Sequence, residues 1–188
     1  MNQSELYGLL SSMYLCKPTR EALATWRSLL DGCNEPAVTG LKTALADINV
    51  DDEQALEDIL WEYTRLFIGP YKLPCPPLES VYTSPKRLMM QEAHDAVQKM
   101  YSAVGLEISS GDVMSDHIGV ELNFMAVLHA KITAEPENEE YLKNLAERFA
   151  SGHLRNWIPL FAIDLEKAAA TQHYKEVVKL TLILIHQN

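Results

Sequence analysis

The chain has 188 residues, of which 26 are acidic and 16 are basic, giving a formal net charge of -10 at pH 7. A nucleic-acid binder needs clustered Lys and Arg to neutralise phosphates, so this charge argues against nucleic acid as a partner. Apolar residues make up 47% and charged residues 22%, as in globular chains that fold around their own core. We expect one domain over residues 1–188.

The cysteines and the amino terminus indicate the compartment. Cys16, Cys33 and Cys75 contain no C-x-x-C pair, so the sequence predicts neither a disulfide framework nor a zinc site. The amino terminus lacks the basic region and the long apolar run of a secretory signal peptide. No unbroken apolar stretch is long enough to span a bilayer. We therefore expect a cytoplasmic protein without membrane insertion.

Two helices are predicted in the first part of the chain. The first follows Ser4 as a plausible N-cap and ends near Lys17-Pro18. Its apolar positions recur at helical spacing: Leu6, Leu9, Leu10, Met13 and Tyr14. The second, with Thr19 as N-cap, stops at Asp31-Gly32 and carries an apolar face of Leu23, Trp26, Leu29 and Leu30. Together they form an antiparallel pair.

A weaker helical segment over residues 38–48 precedes a stronger one. Asp51 and Gln54 have the spacing of a capping box at the start of the stronger helix, which ends at Gly69-Pro70. The apolar positions of this helix are Leu56, Ile59, Leu60, Tyr63, Leu66 and Phe67. Four prolines follow at 74, 76, 77 and 85, and they remove backbone donors and favour extended conformations. This stretch is predicted to be an ordered loop.

The second half of the chain also has helical periodicity. We expect helices over residues 86–104 and 139–150, and another in the segment HLRNWIPLFAIDLEKAAA. The final VVKLTLILI run is also predicted to be a helix, because a lone strand would leave its edge hydrogen-bond donors unpaired. A connection spans Gly105 to Gly111. The next helix begins near Ser115 and Asp116, which could cap it, and its stripe contains Ile118, Leu122, Met125, Leu128 and Ile132. The predicted fold is an all-α, single-domain helical bundle with a proline-rich ordered loop.

One constellation permits an enzymatic interpretation. His117 and Glu121 stand four residues apart on a predicted helix, so both could face a metal ion, with Asp116 adjacent and His129 further along. However, no H-E-x-x-H motif is present, and the order Asp116-His117 is the reverse of that in HD-type phosphohydrolases. A helical metal-dependent enzyme using Asp116, His117 and Glu121 is therefore the alternative. The main expectation is no metal, no cofactor and no catalysis.

The helix before the proline-rich loop permits two interpretations. By spacing alone, Tyr63, Leu66 and Phe67 would be core residues. Directly after them, however, Tyr71 and Leu73 lie on a proline-stiffened segment, which can hold apolar side chains near the surface with little loss of entropy on binding. Such a loop suits a groove for a peptide.

Two motifs in this region and beyond it resemble a known family. The stretch EYTRLFIGPYKLPCPPLESVY, from Glu62 to Tyr82, is similar to the hallmark of the TorD/DmsD/NarJ family of molybdoenzyme maturation chaperones. The segment DHIGVELNFM, from Asp116 to Met125, resembles the second hallmark, and HLRNWIPLF from His153 resembles a third, weaker one. Many members place a proline shortly before the Asp-His pair, whereas this chain has Val113-Met114-Ser115.

The resemblance implies a function in recognition. It implies an all-α cytoplasmic chaperone, monomer or homodimer, that binds the twin-arginine signal peptide and the apo form of the catalytic subunit of a molybdenum-cofactor oxidoreductase of the DMSO/TMAO reductase type. Such a chaperone withholds its client from export until the cofactor is inserted. Paired guanidiniums require carboxylate acceptors, and the apolar part of the peptide requires an apolar groove. A structural subunit of a redox complex is a further alternative.

The resemblance also implies roles for individual residues. Apolar surface would come from Tyr63, Leu66, Phe67 and Tyr71. The adjoining loop would be shaped by Gly69, Pro70, Pro76, Pro77, Glu79 and Ser80. Asp116 and His117 would form the polar end of the site, with Glu121 as a second acceptor or an internal cap.

Overall fold

The computed structural model describes residues 1–70, 72–89, 92–106 and 113–187. Their α-helices are α1 (Gln3–Leu15), α2 (Arg20–Asp31), α3 (Thr39–Ala46), α4 (Glu53–Tyr63), α5 (Glu79–Thr83), α6 (Glu92–Ser102), α7 (Ile118–Ala134), α8 (Glu139–Phe149), α9 (Arg155–Ala168) and α10 (Gln172–Ile185). One π-helical turn each extends α4 (Thr64–Ile68) and α8 (Ala150–Leu154). Within the described ranges the only β-pairing is an isolated bridge, and the all-α prediction is confirmed.

Helices α1 and α7 pack along each other at the centre of the bundle. Ser4 Oγ donates to the carbonyl of Ala126 at 2.8 Å, and Ser11 Oγ donates to that of Gly119 at 2.6 Å. A Cβ added at Gly119 would lie 2.4 Å from Cγ of Leu15, so a larger residue at this position would force the Leu15 side chain to move. The largest fully buried side chains around this pair are Trp157, Tyr7, Tyr14, Tyr174, Phe149 and Phe161.

The end of α4 is tied to the turn between α9 and α10 by a buried acid. The Glu62 carboxylate accepts hydrogen bonds from the backbone N–H groups of Ala170 and Thr171, just before α10 begins. Arg65 donates to the carbonyl of Ala168 at 2.8 Å and lies 3.7 Å from Glu62. A carboxylate at this position satisfies free amides and interacts favourably with the dipole of α10.

Three helix caps differ from the predicted ones. Asn2, not Ser4, caps α1 and forms a capping box with Glu5, because the Ser4 hydroxyl is engaged with α7. Asp52, one residue after the predicted Asp51, caps α4. His117, not Ser115 or Asp116, caps α7. The predicted Thr19 cap of α2 is confirmed.

Other differences concern exposure and element bounds. The predicted loop after Gly69-Pro70 contains the short helix α5. Leu29 and Leu60, predicted on the apolar faces of their helices, are 50% and 37% exposed. The helix predicted from residue 86 is observed as α6, from Glu92. The ambiguous final run is helical in α10, as predicted. The connection predicted over residues 105–111 falls largely outside the described residues.

Candidate functional site

The proline-rich loop pairs with the segment that leads into α7. Ile118 N donates to the carbonyl of Pro77, and Glu79 N donates to that of Asp116, each at 2.9 Å. Leu78 and His117 form the isolated antiparallel bridge. The two motifs, about forty residues apart in the sequence, therefore meet in space and form a single corner between α5 and α7.

Asp116 is fully buried at this corner and connects three segments. Its Oδ2 accepts from the backbone N–H of Ser80 at 2.9 Å and so caps the start of α5. Its Oδ1 has no hydrogen-bond donor in the described part of the chain, and Nδ1 of His94 on α6 lies 3.5 Å from it. Asp116, which was predicted to cap α7, therefore caps α5 instead.

His117 is the N-cap of α7, and its ring is neutral at pH 7. Its Nδ1 accepts the backbone N–H of Gly119 at 3.1 Å, which places the ring proton on Nε2. Burial lowers the pKa of His117 from its usual 6.5 to about 4, and the nearby Asp116 opposes that shift only in part. The residue is partly exposed. Its Nε2–H group can therefore donate a hydrogen bond to a ligand at neutral pH.

Glu79 and Glu121 are a second pair of buried acids beside Asp116. Glu79 accepts from Nδ1 of His153 at 2.8 Å, and Glu121 Oε2 accepts from the indole N–H of Trp157 at 3.0 Å. The exposed fraction is 3% for Glu79 and zero for Glu121. Burial, followed by the charge of Glu79 and a hydrogen bond with it, raises the pKa of Glu121 well above its usual range.

The predicted apolar residues Tyr63, Leu66 and Phe67 lie in the core. The Tyr63 hydroxyl donates to the carbonyls of Tyr14 and Leu15, at 3.2 and 3.1 Å. Phe67 packs edge-to-face against Tyr63 and Tyr14, and also against Tyr174 of α10. All three are at most 6% exposed. In this conformation they belong to the core that supports the site, and their predicted contact with a peptide stays a prediction.

Gly69 and Pro70 lie on a cavity outside that core. Gly69 has φ 99° and ψ -167°, a conformation that only glycine adopts readily, and its N–H closes the π-helical turn onto the carbonyl of Thr64. The cavity has a volume of about 350 Å³ and is lined by Trp61, Thr64, Arg65, Gly69, Pro70, Lys72 and Pro74. Trp61 is 65% exposed, and the Arg65 guanidinium lies over its ring.

The remaining predicted residues divide between the corner and the undescribed part of the chain. Pro77 and Ser80 are buried at the corner, and Pro76 is partly buried beside them. Tyr71 lies outside the described residues. Sequence reasoning missed His94, His153 and Trp157 as neighbours of the buried acids. The weak third motif, HLRNWIPLF, contains the last two and was the available signal.

The described residues also bear on the metal alternative and on membrane insertion. They contain no group of three potential ligands arranged to hold a metal ion. Oε2 of Glu121 and Nδ1 of His117 are already hydrogen-bonded, and His129 stacks on Tyr7 instead of joining them. No described helix is both long enough and apolar enough to cross a bilayer.

Comparison with known proteins identifies the family. The family model described as "Nitrate reductase delta subunit" matches residues 15–162. The chain belongs to this family. The match includes both major motifs and the corner that they form, and it confirms the resemblance to the TorD/DmsD/NarJ chaperones.

Two curated relatives and one solved structure are similar over most of the chain. The chaperone protein TorD of Vibrio atlanticus is 25% identical over 96% of this chain and 89% of its own. A Haemophilus influenzae protein named a probable Tat proofreading chaperone DmsD is 28% identical over 70% of this chain and 60% of its own. The crystal structure of a candidate redox enzyme maturation protein from Archaeoglobus fulgidus shares the fold, with a TM-score of 0.69, 21% identity, and coverage of 97% and 94%.

Proposed function

We propose that this protein is a cytoplasmic chaperone that binds the twin-arginine signal peptide of a molybdenum-cofactor oxidoreductase and holds its apo catalytic subunit until the cofactor is inserted. The observation that carries the proposal is the corner between α5 and α7, where Asp116, buried and bound to Ser80, keeps one carboxylate oxygen without a donor in the described chain. The curated relatives named above are both called chaperones, and one is named for Tat proofreading.

Asp116 can accept an arginine only after a small rearrangement. Its carboxylate is fully buried, and His94 of α6 lies beside the unpaired Oδ1. A guanidinium that approaches Oδ1 must therefore displace His94, while Oδ2 keeps its bond to Ser80. The charge-assisted bond gained would offset the cost of moving α6, since bonds to a charged group are about twice as strong as neutral ones.

The apolar stretch of the signal peptide fits better beside Trp61 than over the buried core. Trp61 lines the cavity next to Gly69 and Pro70, and its ring is largely exposed. Arg65 and Lys72 line the same cavity and would repel the arginines of the peptide. We therefore place the arginines toward Asp116 and the apolar residues toward Trp61.

Isothermal titration calorimetry of the purified protein with synthetic signal peptides tests the proposal. A peptide with the arginine pair should bind with Kd near or below about 10 μM, about -7 kcal/mol. A scrambled peptide of the same composition should bind much more weakly. No heat from the correct peptide well above that concentration, or equal heat from both, would rule the proposal out.

A structural subunit of a redox complex is the second candidate. The description of the matching family, which names a reductase subunit, is the observation that favours it. A chaperone is released once its client matures, whereas a subunit stays bound. Affinity purification of the mature reductase separates the two. Stoichiometric recovery of this chain with the cofactor-loaded enzyme would favour the subunit, and recovery only with the apo enzyme would favour the chaperone.

A further inference from the structure

Three acidic side chains converge in the interior where α5, α7 and α9 meet. Glu79 of α5, Asp116 before α7 and Glu121 within α7 are each at most 3% exposed. Isolated buried carboxylates lose several kcal/mol of solvation energy, so such groups are normally paired with a cation or are neutral.

The hydrogen-bond donors around the cluster account for all but two oxygens. His153 donates to Glu79, the Ser80 N–H donates to Asp116 Oδ2, and Trp157 donates to Glu121 Oε2. Asp116 Oδ1 has His94 at 3.5 Å. Glu121 Oε1 is buried, and no donor for it exists in the described chain. The Glu79 carboxyl is a hydrogen-bonding neighbour of the Glu121 carboxyl, and two carboxyl groups can bond to each other only through a proton.

The repulsion between two ionised carboxylates also favours a proton between Glu79 and Glu121. Two ionised carboxylates cannot form a hydrogen bond, and at contact in a poorly polarisable interior one of them retains a proton. Burial raises the pKa of Tyr101, which faces the cluster from α6, well above its usual range, and the nearby acids Glu121, Glu79 and Asp116 add to that shift. The Tyr101 hydroxyl donates to the Ser115 carbonyl and not to a carboxylate.

We propose that Glu79 and Glu121 share one proton. The resulting hydrogen bond holds α5 against α7 and thereby positions Asp116 to accept an arginine of the signal peptide. Glu79 keeps its hydrogen bond from His153, and Glu121 keeps its bond from Trp157. Loss of the proton leaves two negative charges in contact and loosens the corner. The shared-proton hydrogen bond is a property of the folded chain alone, whereas its effect on peptide binding rests on the proposed function.

The pH range of the effect follows from the groups that face the pair. These are Asp116 and His117 before α7, His94 and Tyr101 on α6, and His153 after α8. Glu121 has a raised pKa in the folded state, so the folded chain binds more protons than the unfolded chain above about pH 4.5. The stabilisation from this pair is fully present below about pH 4.5 and is lost as the pH rises through the raised pKa of Glu121. His117, with a lowered pKa, acts in the opposite direction below pH 6.5.

Glu121→Gln tests the shared proton, because glutamine has the shape of the protonated acid and can donate to Glu79. We expect the urea midpoint of the wild-type protein to fall from about pH 5 to about pH 9 more steeply than that of Glu121→Gln. Glu62→Gln is the matched control, since Glu62 is also buried but accepts backbone N–H groups. That variant should be less stable at every pH and keep the wild-type slope.

Infrared spectroscopy detects the proton independently of stability. The wild-type protein at neutral pH should show the carbonyl stretch of a protonated carboxylic acid, shifted in D₂O and absent from Glu121→Gln. The band should persist in Glu62→Gln. A wild-type spectrum without this band, or parallel stability slopes for wild type and Glu121→Gln, would overturn the proposal. Neither measurement involves a peptide, so failure here is distinct from failure of signal-peptide binding.

Discussion

Asp116 Oδ2 accepts the backbone N–H of Ser80 at 2.9 Å, so a residue that directly precedes the cap of one helix caps a different helix. The bond fixes the proline-rich loop against α7 and leaves the second oxygen facing His94. A carboxylate that both stabilises the corner and offers an unpaired oxygen links the stability of this site to its binding chemistry.

Removing the Asp116 side chain should destabilise the fold more than removing its charge. Asp116→Ala leaves the buried Ser80 N–H without an acceptor, which costs about 1 to 3 kcal/mol. Asp116→Asn keeps an acceptor for Ser80, and its amide can donate to Nδ1 of His94, which has no partner in the described chain. Urea denaturation should therefore show a clearly larger loss for Asp116→Ala. Equal losses would mean that the bond to Ser80 contributes little.

Substitutions at Phe67 and Trp61 should distinguish a residue that stabilises the core from one that contacts the peptide. Phe67→Ala removes a ring packed against Tyr14 and Tyr174 and should cost about 3 to 5 kcal/mol of unfolding free energy. Trp61→Ala, at an exposed ring, should cost less than about 1 kcal/mol yet weaken peptide binding several-fold.

Tyr141→Ala is the control for Trp61→Ala, because Tyr141 is a similarly exposed aromatic residue on α8, away from the cavity. It should leave the peptide affinity unchanged in calorimetry. If Trp61→Ala and Tyr141→Ala bind the peptide as tightly as the wild-type protein, the apolar contact lies elsewhere. If Phe67→Ala is as stable as the wild-type protein, the packing described for Phe67 is wrong.

Glu62 should be a stabilising residue with no part in binding. Its carboxylate accepts two backbone N–H groups before α10, so Glu62→Ala leaves buried donors unsatisfied and should cost about 1 to 3 kcal/mol. Glu57→Ala, at an exposed position of the same helix, should change the stability by less than about 0.5 kcal/mol. Chemical denaturation measures both. A cost at Glu62 no larger than that at Glu57 would contradict the capping role.

His117 should weaken the fold as the pH falls. Its folded-state pKa of about 4 lies below the usual 6.5, so between these values the unfolded chain binds more protons. Stability from the neutral ring is complete above pH 6.5 and is lost as the pH falls toward 4. Because the ring is partly exposed, we expect a loss of about 1 to 3 kcal/mol.

His117→Asn isolates that contribution, since asparagine is a good N-cap and does not titrate. The difference in unfolding free energy between wild type and His117→Asn should therefore change with pH over the range from 6.5 to 4. His173 has a lowered pKa of about 3 and is present in both proteins, so its effect cancels. A constant difference over this range would refute the assignment.

The helices were predictable because their apolar periodicity reflects burial that the structure shows. The stripe of Ile118, Leu122 and Met125 is fully buried, and Trp26 and Leu30 face the core as expected. Leu29 was misplaced because spacing alone does not reveal the edge of a buried face. The cap of α1 was misplaced because Ser4 serves a neighbouring helix.

The site was only partly predictable, since its decisive contacts join distant segments. The motifs indicated Glu79, Ser80, Asp116, His117 and Glu121, which the structure does bring together at the corner. Nothing local indicated that Asp116 caps α5, that His153 pairs with Glu79, or that Trp157 binds Glu121. For Tyr63 and Phe67, helical spacing had favoured the core, and the structure buries both.

The most direct test of signal-peptide recognition is a double-mutant cycle measured by calorimetry, which combines Asp116→Asn with an arginine-to-lysine change in the peptide. If Asp116 accepts an arginine, each single change should weaken binding by about 1.5 to 3 kcal/mol, roughly tenfold to a hundredfold. The double change should then cost clearly less than the sum of the two. Strictly additive losses, or an affinity unaffected by Asp116→Asn, would contradict the central claim that the buried carboxylate at this corner reads the twin-arginine motif.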